Sequence, residues 1–307
     1  MIAILSACGA EPKQTTEKEK TKRLSIVTTV FPPYDFAKAV GGEYVDVTML
    51  LSPGMESHSY EPTPQDIIKI NESDLFIYVG GESDTWVESI LDSLDKDAAL
   101  TTLTLMDCVE TVEEEAVEGM ETEKQEMATP LPEYDEHVWT SPRNAQLITE
   151  KIAEKLCSID TEHRTAYEQQ KIIYLKELSE LDHKYQEVVN QAVRKELVFG
   201  DRFPFRYLVD AYGLSYYAAF PGCSSETEPS AATIAFLTDK VKEDKIPLVL
   251  YLELSNHTIA DAIAESTGTQ TAMLHSCHNI SAKEAEAGVT YLSLMQQNLE
   301  VLKGALY

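Results

Sequence analysis

Three histidines carry most of the chemistry this sequence offers. His58 lies in Ser52-Pro53-Gly54-Met55-Glu56-Ser57-His58-Ser59-Tyr60-Glu61-Pro62-Thr63-Pro64, a Gly/Pro-punctuated loop directly after the strand-like run Val45 to Leu51. His137 sits in Tyr134-Asp135-Glu136-His137-Val138-Trp139, and His275 follows the apolar stretch Thr271 to Leu274. A histidine held on a loop beyond a strand is placed to work rather than to pack. Three such positions far apart in sequence suggest one metal site. Three others read differently: His163 and His183 fall on an expected helix and His257 near a helix start, where capping or solvation accounts for them.

The elements that would position these loops alternate along the chain. Its 307 residues suggest two domains, and 43% hydrophobic residues give each a core. Apolar strand-like runs are followed by helix-length amphipathic segments, the pattern of α/β units with a parallel sheet. Strands are expected at Leu24 to Thr29, Val45 to Leu51, Leu75 to Val79 and Ala99 to Leu105, with helices at Tyr34 to Val40, Pro64 to Asn71 and Asp84 to Leu94. The second half repeats the theme. Its strands are expected at Glu196 to Gly200, Leu214 to Ala219, Leu248 to Leu252 and Thr271 to Leu274, and its helices at Phe205 to Tyr212, Ser230 to Glu243, His257 to Ser266 and Ala282 to Leu302. Between the halves, Asp160 to Arg194 has apolar residues at helical spacing and neither Gly nor Pro. One helix of about 35 residues, about 50 Å long, would join the lobes stiffly and disfavour a large hinge closure. The expected fold is therefore α/β, two similar lobes, each a mostly parallel sheet flanked by helices, joined by one long rigid helix. The expected division is 1–23, a truncated signal, lipobox and flexible tether; 24–158, the N-terminal lobe; 159–194, the linking helix; and 195–307, the C-terminal lobe.

Charge and cysteines narrow the setting. Acidic residues outnumber basic ones 52 to 25, a formal charge of -27, which argues against nucleic acid or anionic lipid as partners and is compatible with cations. No run of 18 apolar residues exists to span a membrane. Leu5-Ser6-Ala7-Cys8-Gly9 has the small-residue pattern of a lipoprotein cleavage site, with Cys8 as the lipid carrier. Met1 to Ile4 is too short for a complete apolar signal region, so a longer leader is expected; the alternative is a disordered end with an incidental cysteine. Ala10 to Arg23 reads as a tether. Cys108, Cys157, Cys223 and Cys277 make an even number, as in exported proteins with disulfides. Cys223 with Cys277 and Cys108 with Cys157 is the favoured pairing, four thiols the alternative. The Glu-rich stretch Val109 to Pro132 reads as a mobile, solvated surface loop. The functional alternative is a low-affinity cation collector using Glu113, Glu114, Glu115, Glu118 and Glu121.

The loop "PGMESHSYEPTPQD", the "DEHVWTSPRNAQLI" element, the long linking helix and the succession "FLTDKVKEDKIPLVLYLEL" to "IAESTG" resemble the zinc- and manganese-binding solute-binding lipoproteins of bacterial ABC importers, from about Leu24 to the C-terminus. The resemblance implies a metal between the lobes, with two ligands from each. It carries over to His58 and His137 in the first lobe. His275 falls where the family usually has an aspartate after its last strand. The remaining family ligand, a His or Glu after the first strand of the second lobe, falls in Phe199-Gly200-Asp201-Arg202-Phe203. Counting from the strand gives Asp201; counting back from Tyr212-Gly213-Leu214 gives Arg202, which cannot ligate. The expected ligands are His58, His137, His275 and Asp201, with Glu228, Glu253, His278 or a water as substitutes for the last.

Three imidazoles and a carboxylate suit Zn2+, while Mn2+, the alternative, prefers more oxygen. Asp135 and Glu136 could fix the tautomer of His137, and Tyr60 or Trp139 could shield the site. Ligation needs neutral imidazoles, so affinity is expected to fall as the pH drops through about 6.5. The implied function is an extracytoplasmic, lipid-anchored monomeric receptor that captures a divalent metal ion, zinc by preference, and passes it to an ABC importer permease. The alternatives are a manganese receptor of the same family, a surface adhesin lipoprotein, or a zinc hydrolase. No enzyme is expected: there is no His-Glu-x-x-His, no G-x-S-x-G, no P-loop and no glycine fingerprint before a helix.

Overall fold

A computed structural model describes residues 22–56, 60–93, 100–121, 133–224 and 228–307. Cys8, the tether, His58 and 122–132 lie outside the described residues.

Aliphatic and β-branched runs form two parallel sheets. The first lobe runs β1 (Leu24–Thr28), α1 (Phe31–Gly41), β2 (Val45–Met49), α2 (Pro64–Glu72), β3 (Leu75–Tyr78), α3 (Thr85–Ser93) and β4 (Thr101–Thr104). Its four strands order β2-β1-β3-β4, every neighbouring pair parallel. Two long helices follow, α4 (Pro142–Ile159) and α5 (Arg164–Gln191). The second lobe runs β5 (Glu196–Phe203), α6 (Arg206–Tyr212), β6 (Ser215–Pro221), α7 (Ala231–Glu243), β7 (Leu248–Tyr251), α8 (Thr258–Thr267), β8 (Gln270–Met273), α9 (Ala282–Ala287) and α10 (Tyr291–Leu306), with strand order β6-β5-β7-β8. In open parallel sheets the carboxyl ends of the strands carry ligand-binding loops. The expected ligands fall on the loops after β2, β4 and β8 and near the end of strand β5.

Local sequence explains the boundaries. Thr63-Pro64-Gln65-Asp66 opens α2 with a full capping box: the Asp66 backbone N–H donates to Thr63 Oγ1 at 3.3 Å, and Asp66 Oδ2 accepts the Thr63 N–H at 3.1 Å. α4, which adds to the elements expected from sequence, starts on the same Ser/Thr-Pro signal at Ser141-Pro142. The connector is shorter than 160–194, with 28 helical residues. Asp160 makes a turn before it, accepting the His163 N–H at 3.2 Å and the Tyr167 hydroxyl at 2.7 Å. The expected helix Ala282 to Leu302 is two helices, because Gly288 turns left-handed at φ 67° and ends α9. β5 runs past Gly200 through a bulge between Phe199 and Arg202. A Cβ at Gly200 would come within 2.5 Å of the Ala260 backbone, so α8 packs directly on the strand there.

One continuous core passes through both lobes, including Ile26, Phe36, Trp139, Tyr174, Phe199, Leu274 and Tyr291. Tyr291 sits at its centre. Its ring meets Phe36 edge-on at 4.8 Å, its hydroxyl donates to the Trp139 carbonyl at 2.6 Å, and its backbone N–H donates to Asp35 at 2.9 Å. Tyr174 also donates to Asp35, and Tyr185 donates to the Met295 carbonyl at 2.7 Å. α5 and α10 thereby join the lobes through a packed aromatic seam.

Two expectations are corrected. The described part of the acidic segment, 109–121, is docked on the second lobe, although Glu113, Glu115 and Glu118 keep their side chains exposed. Glu121 donates its N–H to the Ala219 carbonyl at 2.9 Å, and its carboxylate accepts the Ser230 N–H and the Thr233 hydroxyl at 3.0 Å each, at the start of α7. The Tyr216 hydroxyl donates to the Glu115 carbonyl, and Arg206 pairs with the Glu115 carboxylate at 3.2 Å. Specific partners in the second lobe hold these glutamates as a strap. The expected disulfides are absent as well: Cys108, Cys157, Cys223 and Cys277 are all thiols. Cys223 lies against His137, whereas the Cys277 thiol faces the His275 carbonyl at 3.8 Å.

Candidate metal centre

His137 is fixed before any ligand arrives. Asp135 Oδ1 accepts the His137 backbone N–H at 2.8 Å and lies 3.1 Å from its Nδ1. A carboxylate on Nδ1 places the proton there and turns the lone pair of Nε2 outward, the tautomer a metal needs. Asp135 is steadied in turn by the Tyr207 hydroxyl, which donates to its carbonyl at 2.7 Å. Burial disfavours charge on His137, which is 1% exposed, but Asp135, Glu136 and Glu114 push its pKa up. Glu136 is anchored by Ser83, whose backbone N–H donates at 3.0 Å. A neighbouring acid pair, Glu82 and Glu133, shares a hydrogen bond that, with burial, raises Glu82 to about 7. The field around His137 is thus strongly negative and favours a cation.

The second lobe answers with His278. Its ring meets the His137 ring edge to face at 5.2 Å and Trp139 at 4.9 Å. The loop carrying it is built for that position. Trp139 Nε1–H donates to the Ser276 carbonyl at 2.8 Å, the Phe31 N–H donates to the His278 carbonyl at 3.2 Å, and the His278 N–H donates to Ser276 Oγ at 3.1 Å. Cys277 turns left-handed at φ 62° to make the bend, a conformation costing about 1–2 kcal/mol for a residue with a Cβ. Leu254, on the same side, has φ 63°. Such strain gathers where loops are shaped for a task.

His137 and His278 line a cavity of about 30 Å³, together with Glu56, Arg202, Glu253 and Met55. That is room for an ion and a water rather than an organic solute. The loop leading to His58 is tied to the same place. Asn279 Nδ2 donates to the carbonyls of Ser52 and Met55 at 2.8 and 2.9 Å, the Gly54 N–H donates to the Ile280 carbonyl at 2.8 Å, and Arg202 pairs with Glu56 at 3.0 Å. Met55 and Glu56, which line the cavity, precede His58 in sequence by three and two residues.

The other expected ligands are placed elsewhere. His275 does not line the cavity. It lies between Glu253, 3.4 Å from its Nδ1, and Glu284, 3.6 Å from its Nε2. Burial opposes charge on this ring, yet Glu253 and then Glu284 raise it to about 11. The Cys277 N–H, 2.9 Å from Nδ1, works against that rise, because a protonated Nδ1 could not accept it. Nδ1 is thereby engaged, while Nε2 is buried with no hydrogen-bond partner and has only the Glu284 carboxylate near it, at 3.6 Å. Asp201 also turns inward: Oδ2 accepts the Leu252 N–H at 3.0 Å and Oδ1 the Arg202 N–H at 2.8 Å, closing the β5 bulge. Of the substitutes, Glu228 is exposed, Glu253 is clamped by the Ser276 N–H at 2.7 Å, and His278 faces His137. The sequence signal for His278 is its recurrence three residues after His275, but which of the two faces inward depends on the turn at Cys277. The sequence pointed to Cys223 only as a disulfide partner, yet its sulfur joins a nitrogen of His137 and an oxygen of Glu136 with all three within 4.8 Å of one another.

Comparison with known proteins agrees with this architecture. The profile of "Zinc-uptake complex component A periplasmic" (ZnuA) matches residues 26–305. The zinc-binding lipoprotein AdcA of Streptococcus pneumoniae (strain ATCC BAA-255 / R6) is 33% identical over 289 residues, covering 94% of this chain and 57% of that protein, so the chain spans little more than half that relative's length. The high-affinity zinc uptake system protein ZnuA of Bacillus subtilis (strain 168) is 31% identical over 307 residues, covering 99% of this chain and 94% of the relative. The crystal structure of the Zn(II)-bound ZnuA-like domain of S. pneumoniae AdcA superposes with a TM-score of 0.76 at 32% identity, covering 92% of this chain and 99% of that one. With two parallel-sheet lobes, a histidine pair facing across them and a match over nearly its whole length, the chain belongs to the zinc-uptake complex component A family.

Proposed function

We propose that the protein is an extracytoplasmic receptor that captures a divalent metal ion, zinc in preference to manganese, and hands it to the permease of an ABC importer. The observation that carries this reading is the meeting of His137 and His278 across the lobes, ring centroids 5.2 Å apart, over a cavity of ion size. His58, His137 and His278 are the proposed ligands. Imidazole donors suit zinc better than manganese. The chain acts alone as a monomer, held to the membrane by a lipid on Cys8, and performs no catalysis; the small cavity is in keeping with a cargo ion rather than an ester or peptide. Among the described residues no helix is long and apolar enough to cross a membrane.

Elemental analysis of purified protein, followed by competition titration of the stripped protein with Zn2+ and Mn2+, tests the reading. About one tightly held zinc per chain is expected, weakened in His278→Ala and kept in His275→Ala. Retention by His278→Ala with loss in His275→Ala would move the ligand to 275. No uptake of either ion would end the receptor reading.

A further inference from the structure

A thiol stands beside the proposed cation site, and the three histidines make no use of it. The turn after β6 is pressed onto the His137 ring: a Cβ at Gly222 would come within 3.0 Å of the Phe203 carbonyl oxygen and 3.3 Å of His137 Cε1. One residue on, the Cys223 N–H donates to Glu114 Oε1 at 3.1 Å. These contacts hold Cys223 so that its Sγ, a His137 nitrogen and a Glu136 carboxylate oxygen all lie within 4.8 Å of one another. Zinc bonds of about 2.3 Å to sulfur and about 2.0 Å to nitrogen at tetrahedral angles bring those two donors to about 3.6 Å. Closing the difference takes at most roughly 1 Å of side-chain movement. Glu136 already receives the Ser83 N–H and hydroxyl, so of the two groups beside His137 the thiol is the better donor. Arg202, at the cavity wall and paired with Glu56, offers no lone pair.

We propose that Cys223 is a sulfur ligand of the cargo metal beside His137 and His278, and that the cargo is accordingly a thiophilic cation. This inference rests on the receptor reading. The metal–sulfur bond forms as the S–H proton leaves to solvent, so no oxidant or reductant is involved. Thiolate selects zinc, and also cadmium or copper(I), over manganese.

Stripped protein titrated with Co2+ and followed by absorption tests it. The expected result is tetrahedral d–d bands together with a near-ultraviolet sulfur-to-cobalt charge-transfer band. In Cys223→Ser the charge-transfer band should vanish while the d–d bands remain. Wild-type d–d bands without charge transfer would overturn the inference and leave the receptor reading standing; a charge-transfer band that survives Cys223→Ser would assign the sulfur elsewhere and overturn it too. Absence of any bound cobalt or zinc would overturn both. If the variant does not fold, alkylation of the wild type decides. Zinc at about 100 times its Kd should slow iodoacetamide labelling of Cys223 about a hundredfold and leave Cys108 unchanged, and equal rates at Cys223 with and without zinc would refute ligation.

Discussion

Which nitrogen of His137 is available to an ion is decided by Asp135. Without the carboxylate on Nδ1 the ring could take either tautomer and could rotate, so part of any binding energy would go into ordering it. Asp135→Asn keeps the shape but gives up the charge, and is expected to weaken zinc binding about 10- to 100-fold, read by competition with a chromogenic chelator. An unchanged affinity would show that packing against Trp139 alone orients the ring. Asp35 makes a different residue-scale prediction. Burial, against hydrogen bonds from Tyr291 and Tyr174, raises its pKa to about 6. A carboxyl raised in the folded state contributes stability that is full below about pH 4 and is lost as the pH climbs through about 6. Asp35→Asn, which still accepts both hydrogen bonds, should therefore gain about 2 to 3 kcal/mol over wild type at pH 7.5 and little at pH 4, measured by urea unfolding at both values. Parallel profiles would mean that Asp35 titrates normally in the fold.

At the scale of elements, the parallel sheets were readable because buried strands are near-continuous apolar runs, and Leu75–Tyr78 and Leu248–Tyr251 show this plainly. What escaped was punctuation by single residues. Gly288 divides what looks like one amphipathic helix, and Asp160 draws His163 and Tyr167 into a turn that delays α5. The site was half legible. His137 is announced by its own neighbours, Asp135 and Trp139, which act locally. His278 is not, since its position depends on Cys277 adopting φ 62° and on Asn279 reaching Ser52, 227 residues away in sequence. Asp201 and His275 carry suitable donor atoms, but the backbone N–H groups of Leu252 and Arg202 occupy the Asp201 carboxylate, and His275 stands outside the cavity between Glu253 and Glu284. Two substitutions probe the elements that matter most. Thr63→Ala removes the cap of α2, directly after the His58 loop, and should cost about 1 kcal/mol in thermal unfolding. Gly200→Ala drives a methyl into the α8 backbone and should cost about 1 to 3 kcal/mol while also loosening zinc, because the bulge that presents Arg202 and holds Asp201 must move; loss of stability with intact binding would separate the bulge from the site.

Over the whole molecule, stability and binding share one framework. The core that includes Phe36, Trp139 and Tyr291 is common to both lobes, so unfolding should be a single transition. Tyr291→Ala, which empties the centre of that seam, should cost about 3 to 5 kcal/mol and split or broaden the calorimetric transition; a sharp transition would show that α5 alone suffices as the joint. Because only the folded chain can assemble the cavity, free zinc at about a thousandfold over Kd should stabilise the protein by about 4 kcal/mol.

The strap at 109–121 runs from the end of the first sheet onto β6 and α7, and the aromatic seam joins the lobes through α5 and α10. Held by both, the two lobes have little freedom to part, and the outline of the molecule with its ion should match its outline without. News of loading then cannot be broadcast as a change of shape. It has to be written in the texture of the rim, in whether the loops around Glu56, Cys223 and Asn279 are stiff or slack, and any protein that accepts only the loaded form must read that surface by touch.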